Sequence, residues 1–365
     1  MKVICSKDNL TEGINIVQKA VPTKTSLPVL EGILLECGDN FKLTGNDLEI
    51  GIECLVEADI KEAGSVVINS RVFGDIVRKL PDSEVLIEVK ENNLVTIECE
   101  NSYFEIKGLS PQGFPALPAI KKDNAFKISQ KIVRDMIKQT IFAVSTDENR
   151  PILTGSLVEC KDGEITFVAI DGYRLALRKN RIDNNSSELR VVVPGKTLNE
   201  ISKILQPEDD EITIYSTSNQ IMFDIGNCKV VSRLIEGEYL NYRSSITEDY
   251  ETKIRVNKND LLASIERASL IITSDERRFP VVFYIEEDKM VVTSSTNVGT
   301  VKEEINVETD GNRIDIGFNP RYFIDTLRAI DEDVIDVYFA TSLGPCIIRP
   351  VESDNFIYLI AAVRR

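Results

Sequence analysis

The stretch AIDGYRLALRK, residues 169–179, carries the side chains of this sequence that most resemble part of an active site. It places Asp171, Gly172, Tyr173 and Arg174 in a row inside an otherwise apolar, strand-like run. A second acid, Asp47, stands in a similar setting, so one hypothesis is an enzyme that uses both carboxylates as acids. For paired acid–base work, the two carboxyl groups would have to lie within about 10 Å of each other.

The absence of histidine limits the chemistry further. Without an imidazole, the sequence excludes Ser-His-Asp and Cys-His arrangements and the HExxH zinc motif. It also lacks a GxGxxG turn after a strand and a GxxxxGK[ST] loop, which are two common phosphate-binding signatures. We therefore predict no metal and no cofactor, and catalysis by carboxylates or lysines remains the open enzymatic route.

The cysteines and the N-terminal residues indicate a protein of a reducing compartment. Seven cysteines are scattered along the chain without a CxxC pair: Cys5, Cys37, Cys54, Cys99, Cys160, Cys228 and Cys346. We predict that they are reduced, buried thiols. The first ten residues, MKVICSKDNL, lack the apolar core of a signal peptide, and no run of 18 apolar residues could span a membrane. These features predict a cytoplasmic protein.

The elements that would position these side chains occur three times along the chain. Segments starting at positions 66, 191 and 314 each read as a strand, a short turn, an amphipathic helix, an acidic turn and another strand. The equivalent residues Ile68, Val193 and Phe318 are separated by 125 residues each time. A second helix repeats with them, beginning near positions 6, 129 and 257, with an apolar stripe at i, i+4 and i+7.

The repeat gives Asp171 a counterpart. FVAIDGYRLALR, from position 167, aligns with LTGNDLEIGIEC, from position 43, so that Asp47 stands opposite Asp171 without the Tyr-Arg pair. A repeated Asp is typical of a turn, because its side chain can accept hydrogen bonds from the backbone of the following residues. We therefore expect both acids to form turns, in separate copies of the repeat.

A period of this length predicts whole domains rather than a solenoid. We predict an α+β fold of three repeated domains, each with two helices packed on antiparallel sheets of about eight strands in total. The domains are expected at residues 1–122, 126–246 and 252–365, with polar stretches near 115–125 and 243–253 between them.

The charge is divided unequally between the helices and the rest of the chain. The formal net charge of −16 argues by itself against binding nucleic acid. In four of the six predicted helices, however, Lys and Arg outnumber Asp and Glu, and in the other two the charges balance. If the helices share a face, that face is cationic, and screening over about 10 Å lets it coexist with an anionic body. Because these helices carry few aromatic residues, we predict contact with phosphates, without sequence preference.

Taken together, these features resemble the beta sliding clamp family of bacterial DNA polymerase III over the whole chain. The resemblance is carried by SLPVLEGILLE and LTGNDLEIGIE in the first copy and by AIDGYRLA and VVVPGKTLNEISKIL in the second. IGFNPRYFIDTLRAI and FIYLIAAVRR carry it in the third copy.

The resemblance implies three clamp domains per chain and a head-to-tail homodimeric ring, with helices lining the hole and sheets at the rim. It implies a non-catalytic processivity subunit that encircles duplex DNA and is loaded by an ATP-dependent clamp loader. The ring would tether the replicative polymerase, and other polymerases or repair proteins, through short peptides rich in Leu and Phe. No membrane partner is implied.

The resemblance also implies three groups of site residues. The partner-peptide groove would contain Arg150, Leu153, Ile170, Gly172, Tyr173, Arg174, Leu175, Leu240, Tyr242, Leu359, Ile360, Ala361, Ala362, Val363 and Arg364. The DNA-facing cations would be Lys24, Arg71, Arg78, Lys79, Lys131, Arg134, Lys138, Lys196, Lys203, Arg321 and Arg328. The dimer contact would pair Phe104 and Ile106 with Leu270 and Ile271. In this scheme Tyr173 and Arg174 form the rim of an apolar groove.

Some groove positions depart from the family pattern. Ile170 stands where Thr is usual, Leu240-Asn241 replaces Pro-Asp, and Ala361-Ala362 replaces a bulkier residue followed by Pro. Because the tail side chains are smaller, we expect a deeper or looser pocket with an altered peptide preference.

Two other functions remain as alternatives. A carboxylate enzyme requires Asp47 and Asp171 in one pocket, and the repeat argues against this arrangement. A scaffold of acidic repeats that never meets DNA requires neither a cationic surface nor a closed ring. Charge reversal at Arg78, Lys79 and Lys196 would separate the scaffold from the clamp, since only the clamp should lose retention on DNA.

Overall fold

The computed structural model describes residues 1–120, 125–182, 188–272 and 280–363. Within these residues the helices are α1 (Lys7–Val17), α2 (Ser70–Lys79), α3 (Gln130–Lys138), α4 (Gly195–Ile204), α5 (Lys258–Ser269) and α6 (Pro320–Arg328). Each lies inside one of the six segments predicted from the repeat. None of the described helices has the length and apolar composition needed to cross a lipid bilayer.

The strands also follow the repeat. The first copy contains β1 (Lys2–Ser6), β2 (Gly32–Cys37), β3 (Phe41–Asn46), β4 (Ile50–Val56), β5 (Asp59–Glu62), β6 (Gly64–Asn69), β7 (Glu84–Val89), β8 (Leu94–Cys99) and β9 (Ser102–Lys107). The second contains β10 (Ala125–Ser129), β11 (Gly155–Lys161), β12 (Glu164–Ile170), β13 (Arg174–Arg181), β14 (Leu189–Pro194), β15 (Glu211–Ser216), β16 (Gln220–Ile225) and β17 (Cys228–Arg233). The third contains β18 (Thr252–Asn257), β19 (Val281–Glu286), β20 (Lys289–Ser295), β21 (Thr300–Asn306), β22 (Glu308–Gly311), β23 (Ile314–Phe318), β24 (Val334–Phe339), β25 (Cys346–Pro350) and β26 (Phe356–Ile360).

Side chains at the helix starts explain why several of these helices begin where they do. The Ser6 hydroxyl accepts a hydrogen bond from the amide of Asn9 at 3.2 Å, and this bond caps α1. Asn69 and Asn319 cap α2 and α6 in the same way. Such caps satisfy amide groups that have no partner inside the helix.

Backbone contacts divide the chain into two compact units, and the second copy contributes to both. Unit 1 consists of Met1–Lys131 and Lys203–Leu234, and unit 2 of Ile132–Ser202 and Ile235–Arg365. Unit 1 holds a five-stranded sheet in the order β5-β1-β7-β8-β9 and an eight-stranded sheet in the order β10-β15-β16-β17-β4-β3-β2-β6. In the second sheet, β4 of the first copy pairs with β17 of the second.

Unit 2 also contains two antiparallel sheets, one of which joins strands of two copies of the repeat. It holds a nine-stranded sheet in the order β14-β11-β12-β13-β26-β25-β24-β18-β22 and a four-stranded sheet in the order β21-β20-β19-β23. Here β13 of the second copy pairs with β26 of the third. The core of this unit contains a group of phenylalanines in mutual contact: Phe283, Phe318, Phe323 and Phe339. The predicted α+β architecture of antiparallel sheets and paired helices is confirmed.

The prediction that all cysteines are reduced is wrong for two of them. Cys54 on β4 and Cys228 on β17 face each other across the sheet and form a disulfide. No local motif indicates this pair, because 174 residues separate the two cysteines. The other five are buried free thiols: Cys5, Cys37, Cys99, Cys160 and Cys346. Burial raises the pKa of Cys5 to about 12 and that of Cys37 to about 11.

Candidate functional site

The turn between β12 and β13 is held by Asp171. Its Oδ1 accepts hydrogen bonds from the amides of Tyr173 at 2.9 Å and Arg174 at 3.0 Å. Gly172 in this turn has a φ of 95°, which side chains rarely tolerate. The side chain of Asp171 therefore shapes the backbone, as predicted for a turn-forming acid.

The first copy repeats the same turn with different neighbours. Asp47 Oδ1 accepts hydrogen bonds from the amides of Glu49 at 3.0 Å and Ile50 at 2.8 Å. Leu48, with a φ of 76°, takes the place of the glycine. Asp47 lies in unit 1 and Asp171 in unit 2, and the turn role predicted for both acids is confirmed.

Arg174, predicted as one of two rim residues of the groove, is buried. It retains only 9% of its exposed area. Its Nε donates to Asp171 at 2.9 Å, Nη1 to Asp325 at 2.8 Å and Nη2 to the Phe142 carbonyl at 2.6 Å. The guanidinium also lies over the rings of Phe142 and Tyr322, with its carbon 5.3 and 4.8 Å from their centroids. Because every nitrogen has a partner, Arg174 holds α6 against the β12–β13 turn and forms the wall of the site.

Tyr173, the other residue predicted at the rim, lies at the surface. It is 62% exposed, and its ring stacks on that of Tyr322 with the centroids 6.0 Å apart and the planes inclined by 20°. Its carbonyl accepts a hydrogen bond from the amide of Ala361 at 2.8 Å. Burial, and then the charge of Asp171, raises the pKa of the Tyr322 phenol. The Tyr322 ring is therefore neutral near pH 7, and the stacked pair offers a flat, largely apolar face.

A cavity of about 1040 Å³ opens beside these two rings. Four of the predicted groove residues line it: Arg150, Gly172, Tyr173 and Arg174. Other lining residues come from α6 and from segments next to α3 and α5, including Val144, Ile272, Asn319, Tyr322 and Ile324. Apolar side chains and a few convergent polar groups are typical of binding clefts.

Five other predicted groove residues belong to an apolar cluster of unit 2. The predicted members are Leu153, Ile170, Leu175, Tyr242 and Leu359. All except Leu359 are buried, and Leu359 packs against the cluster while partly exposed. The Tyr242 hydroxyl donates to Glu159 at 2.7 Å, which fixes the ring within the cluster.

The remaining predicted groove residues have different environments. Leu240 is half exposed, whereas Ile360 is fully buried in the larger core of unit 2. Ala362 packs against that core, and the amide of Val363 donates to the Gly317 carbonyl at 2.8 Å. Arg364 lies outside the described residues.

The contribution of α6 to this cavity was not predicted from the sequence. Asn319, Tyr322 and Asp325 all line it, and Arg321 and Arg328, which were predicted to face DNA, also border it. Asp325 is 151 residues from Arg174 along the chain, so their ion pair left no local signal in the sequence. An available signal was Tyr322, an aromatic residue inside an otherwise basic helix.

The predicted DNA-facing cations lie on or beside helices, and all but Arg134 are exposed. Arg134 is half-buried. Ion pairs on the helix surfaces include Arg71 and Arg78 with Asp75 at 3.9 and 2.8 Å, Arg321 with Asp325 at 4.0 Å and Arg328 with Glu266 at 2.7 Å.

The residues predicted at the dimer contact lie at the margins of two sheets. β9 is an edge strand of the five-stranded sheet, with Phe104 exposed and Ile106 half-buried. In unit 2, Leu270 follows α5 and is 80% exposed, with Ile271 half-buried beside it. β21 is an edge strand of the four-stranded sheet. Unpaired edges and exposed apolar side chains are features by which sheets join other chains.

The described residues contain no group of three or more Asp, Glu, Cys or His side chains arranged to hold a metal ion. The cavity beside Tyr173 is lined by three acids, Asp147, Asp171 and Asp325, and the last two are already bonded to Arg174. The arrangement is suited to binding an extended ligand.

Comparison with known protein families gives one matching domain for each of the three copies of the repeat. Models of the N-terminal, central and C-terminal domains of the DNA polymerase III beta subunit match residues 1–118, 127–241 and 243–364. The beta sliding clamp of Staphylococcus epidermidis is 37% identical over 376 aligned residues, which cover 100% of this chain and 99% of that protein.

Two further similar proteins are also sliding clamps. The beta sliding clamp of Halalkalibacterium halodurans is 35% identical, with 100% of both chains covered. The crystal structure of the DNA polymerase sliding clamp from Bacillus subtilis superposes with a TM-score of 0.96 and 35% identity, covering 100% of this chain and 99% of that one. The chain thus belongs to the beta sliding clamp family of bacterial DNA polymerase III, whose members are non-catalytic processivity factors of DNA replication.

Proposed function

We propose that two copies of this chain close head to tail into a ring that surrounds duplex DNA and tethers the replicative polymerase. Membership of the clamp family implies DNA, polymerase and clamp-loader partners and dimerisation. The cavity beside Gly172 and Tyr173 supports the proposal that partners bind through a peptide. It is an open groove next to an apolar cluster, and its volume is large for a small-molecule site. The ring raises the local concentration of its partners at the template. Since that template is bacterial DNA, we place the protein in the cytoplasm.

The proposed occupant of the groove is a short peptide rich in Leu and Phe, supplied by polymerase, loader or repair proteins. The stacked rings of Tyr173 and Tyr322 offer an apolar platform on one side. Ile170 and Leu359 extend apolar surface from the neighbouring cluster. The exposed Arg150 borders the cavity and can donate hydrogen bonds to peptide carbonyls.

The departures from the family pattern support a preference for bulky apolar peptide side chains. Ile170 belongs to the apolar cluster, where the hydroxyl of the usual Thr would need a partner. Ala361 and Ala362 leave more room than larger tail residues would. Leu240 is exposed and lies between Tyr239 and Tyr242 of the apolar cluster in the sequence, where it adds apolar surface.

The same proposal assigns the DNA and dimer contacts. Exposed helix cations such as Lys79 and Lys138 would meet phosphates without reading sequence. The β9 edge with Phe104 would pair with the margin near Leu270 of a second copy, and such a heterologous contact closes after two subunits. We retain residues 1–122, 126–246 and 252–365 as the proposed domain limits, which limited proteolysis can test.

Peptide binding tests the groove directly. We expect Tyr173→Ala to weaken binding of a fluorescent Leu/Phe-rich peptide about tenfold, which corresponds to about 1.4 kcal/mol. Tyr250→Ala is the matched control, because Tyr250 is another exposed tyrosine of unit 2 that lines a different cavity. Equal affinities of wild type and Tyr173→Ala, measured by fluorescence polarisation, would remove Tyr173 from the site.

Electron microscopy and the mass in solution test the ring. We expect a dimer of chains of 40.9 kDa with a central hole wider than a DNA duplex. Leu270→Asp should convert the dimer into a monomer, because a charge at a desolvated contact carries a cost of several kcal/mol. Leu343→Asp, at another strongly exposed apolar position in the turn between β24 and β25, serves as the control and should remain dimeric. A compact monomer of the wild-type protein would contradict the ring.

A further inference from the structure

The disulfide of unit 1 lies where the first and second copies of the repeat meet. The eight-stranded sheet has β10, β15, β16 and β17 from the second copy on one side and β2, β3, β4 and β6 from the first copy on the other. The two halves join along β4 and β17, whose register runs from Cys54↔Cys228 to Ile50↔Ser232. The cysteines stand at one end of that pairing.

The backbone brings the two sulfur atoms together. The amide of Leu55 donates to the Asn227 carbonyl at 2.8 Å, which makes Cys54 and Cys228 a facing pair without hydrogen bonds between their own backbones. Their Cα atoms are 4.2 Å apart. Side chains at such positions approach each other more closely than at hydrogen-bonded pairs.

We propose that Cys54 and Cys228 are a reversible redox modification site, which switches the joint between the first two copies from a non-covalent to a covalent link. The oxidant is a low-molecular-weight disulfide. One cysteine thiolate attacks it and releases one small thiol, and the second cysteine then displaces the other small thiol to form the protein disulfide. The two cysteines lose two protons and two electrons in total, and the small disulfide is reduced to two thiols.

The position of the pair sets how readily it exchanges. Both side chains are buried, so exchange with a small thiol requires the strands to separate locally. Cys228 is the first residue of β17 and follows a turn at Gly226, where φ is 68°. Strand ends open more easily than strand centres, and the pair is therefore placed where a small opening suffices.

The switch has a defined mechanical consequence. In the reduced form, β4 and β17 can separate whenever their hydrogen bonds break. In the oxidised form, the cross-link holds their ends together across a chain separation of 174 residues. The peptide cavity belongs to unit 2, and its affinity should not depend on this bond, so the outcome is independent of the proposed function.

Mass spectrometry of the full-length protein tests the site. One sample is equilibrated with glutathione disulfide and another with dithiothreitol, and both are unfolded in N-ethylmaleimide and digested. We expect a cross-linked peptide pair containing Cys54 and Cys228 in the first sample, and both cysteines alkylated in the second. Cys160 and Cys346 should be alkylated in both samples. Alkylation of Cys54 and Cys228 after oxidation would overturn the proposal.

Hydrogen exchange tests the switch itself. Backbone amides of β4 and β17 should exchange more slowly in the oxidised protein than in the reduced one. Cys54→Ala/Cys228→Ala should lose this redox difference, whereas Cys160→Ala, which removes a buried free thiol, should keep it. Identical exchange of wild-type β4 and β17 in the two redox states would show that the bond does not act as a switch.

Discussion

Arg174 shows how one buried side chain can organise the wall of a cavity. Its three guanidinium nitrogens bond to the turn before β13, to α6 and to the backbone beyond α3. Charge-assisted hydrogen bonds from one planar guanidinium to three separate partners fix orientation as well as distance. The exposed platform of Tyr173 and Tyr322 therefore rests on a buried ionic support.

Removing that support should cost folding stability. We expect Arg174→Ala to lower the free energy of unfolding by about 3 kcal/mol, because it leaves Asp171 and Asp325 without their shared partner in a largely buried place. Arg321→Ala is the matched control on the same cavity, since its side chain is 79% exposed and should change stability by less than about 0.5 kcal/mol. Urea unfolding measures both, and equal losses would contradict the supporting role.

The two roles of Asp171 and Arg174 were not equally predictable from the sequence. The turn formed by Asp171 followed from its repeat partner Asp47, because a local hydrogen-bond pattern leaves a local signature. The burial of Arg174 depends on Asp325, which belongs to a different copy of the repeat. A contact between distant segments has no periodicity, and only the folded chain reveals it.

At the scale of elements, the repeat predicted the helices, because each helix depends on the residues of a single segment. All six helices lie where their apolar stripes and cap residues indicated. What the repeat did not predict is the pairing between copies, β4 with β17 and β13 with β26. Two contacts depend on such pairing and were therefore not predicted. They are the disulfide of Cys54 with Cys228 and the ion pair of Arg174 with Asp325.

The pairing of β18 with β24 contains a buried ionic contact that should respond to acid. Asp336 is almost fully buried and accepts hydrogen bonds from Lys253 at 2.9 Å and from Arg255 at 2.9 and 3.1 Å. Burial alone would raise the pKa of Asp336, but the bonds from the two cations outweigh it and hold the pKa below its usual value. The folded protein therefore binds this proton more weakly than the unfolded chain.

Stability from Asp336 should be fully present above the unfolded pKa of about 4 and should be lost as the pH falls through the lower folded pKa. We expect Asp336→Asn to cost about 2 kcal/mol at pH 7 and to flatten the loss of stability below about pH 4. Asp354→Asn, at an exposed pair with Lys179, is the control and should change stability by less than about 0.5 kcal/mol. An unchanged acid dependence in Asp336→Asn, followed by urea unfolding between about pH 3 and pH 7, would rule out this account.

At the scale of the whole molecule, the chain combines a net charge of −16 with exposed cations on its helices. A uniformly acidic protein would be repelled by DNA, whereas a strongly basic one would bind too tightly to move along it. A ring that is held by topology needs only enough attraction to centre the duplex. In the proposed ring, the excess of cations on the helices would supply this attraction, while the rest of the chain carries the excess of acids.

Charge reversal on helices and on strands should therefore have different effects on DNA retention. We expect Lys79→Glu/Lys138→Glu, with one change in each unit, to shorten the time that the loaded protein stays on circular DNA and to reduce the salt dependence of that retention by about one unit per lost phosphate contact. Lys127→Glu/Lys289→Glu alters the net charge equally but at exposed positions on β10 and β20, and it should retain DNA like the wild type. If both variants lose retention equally, net charge and not the helix surface governs it. If wild-type protein remains bound after the DNA is linearised, attraction rather than encirclement holds it there.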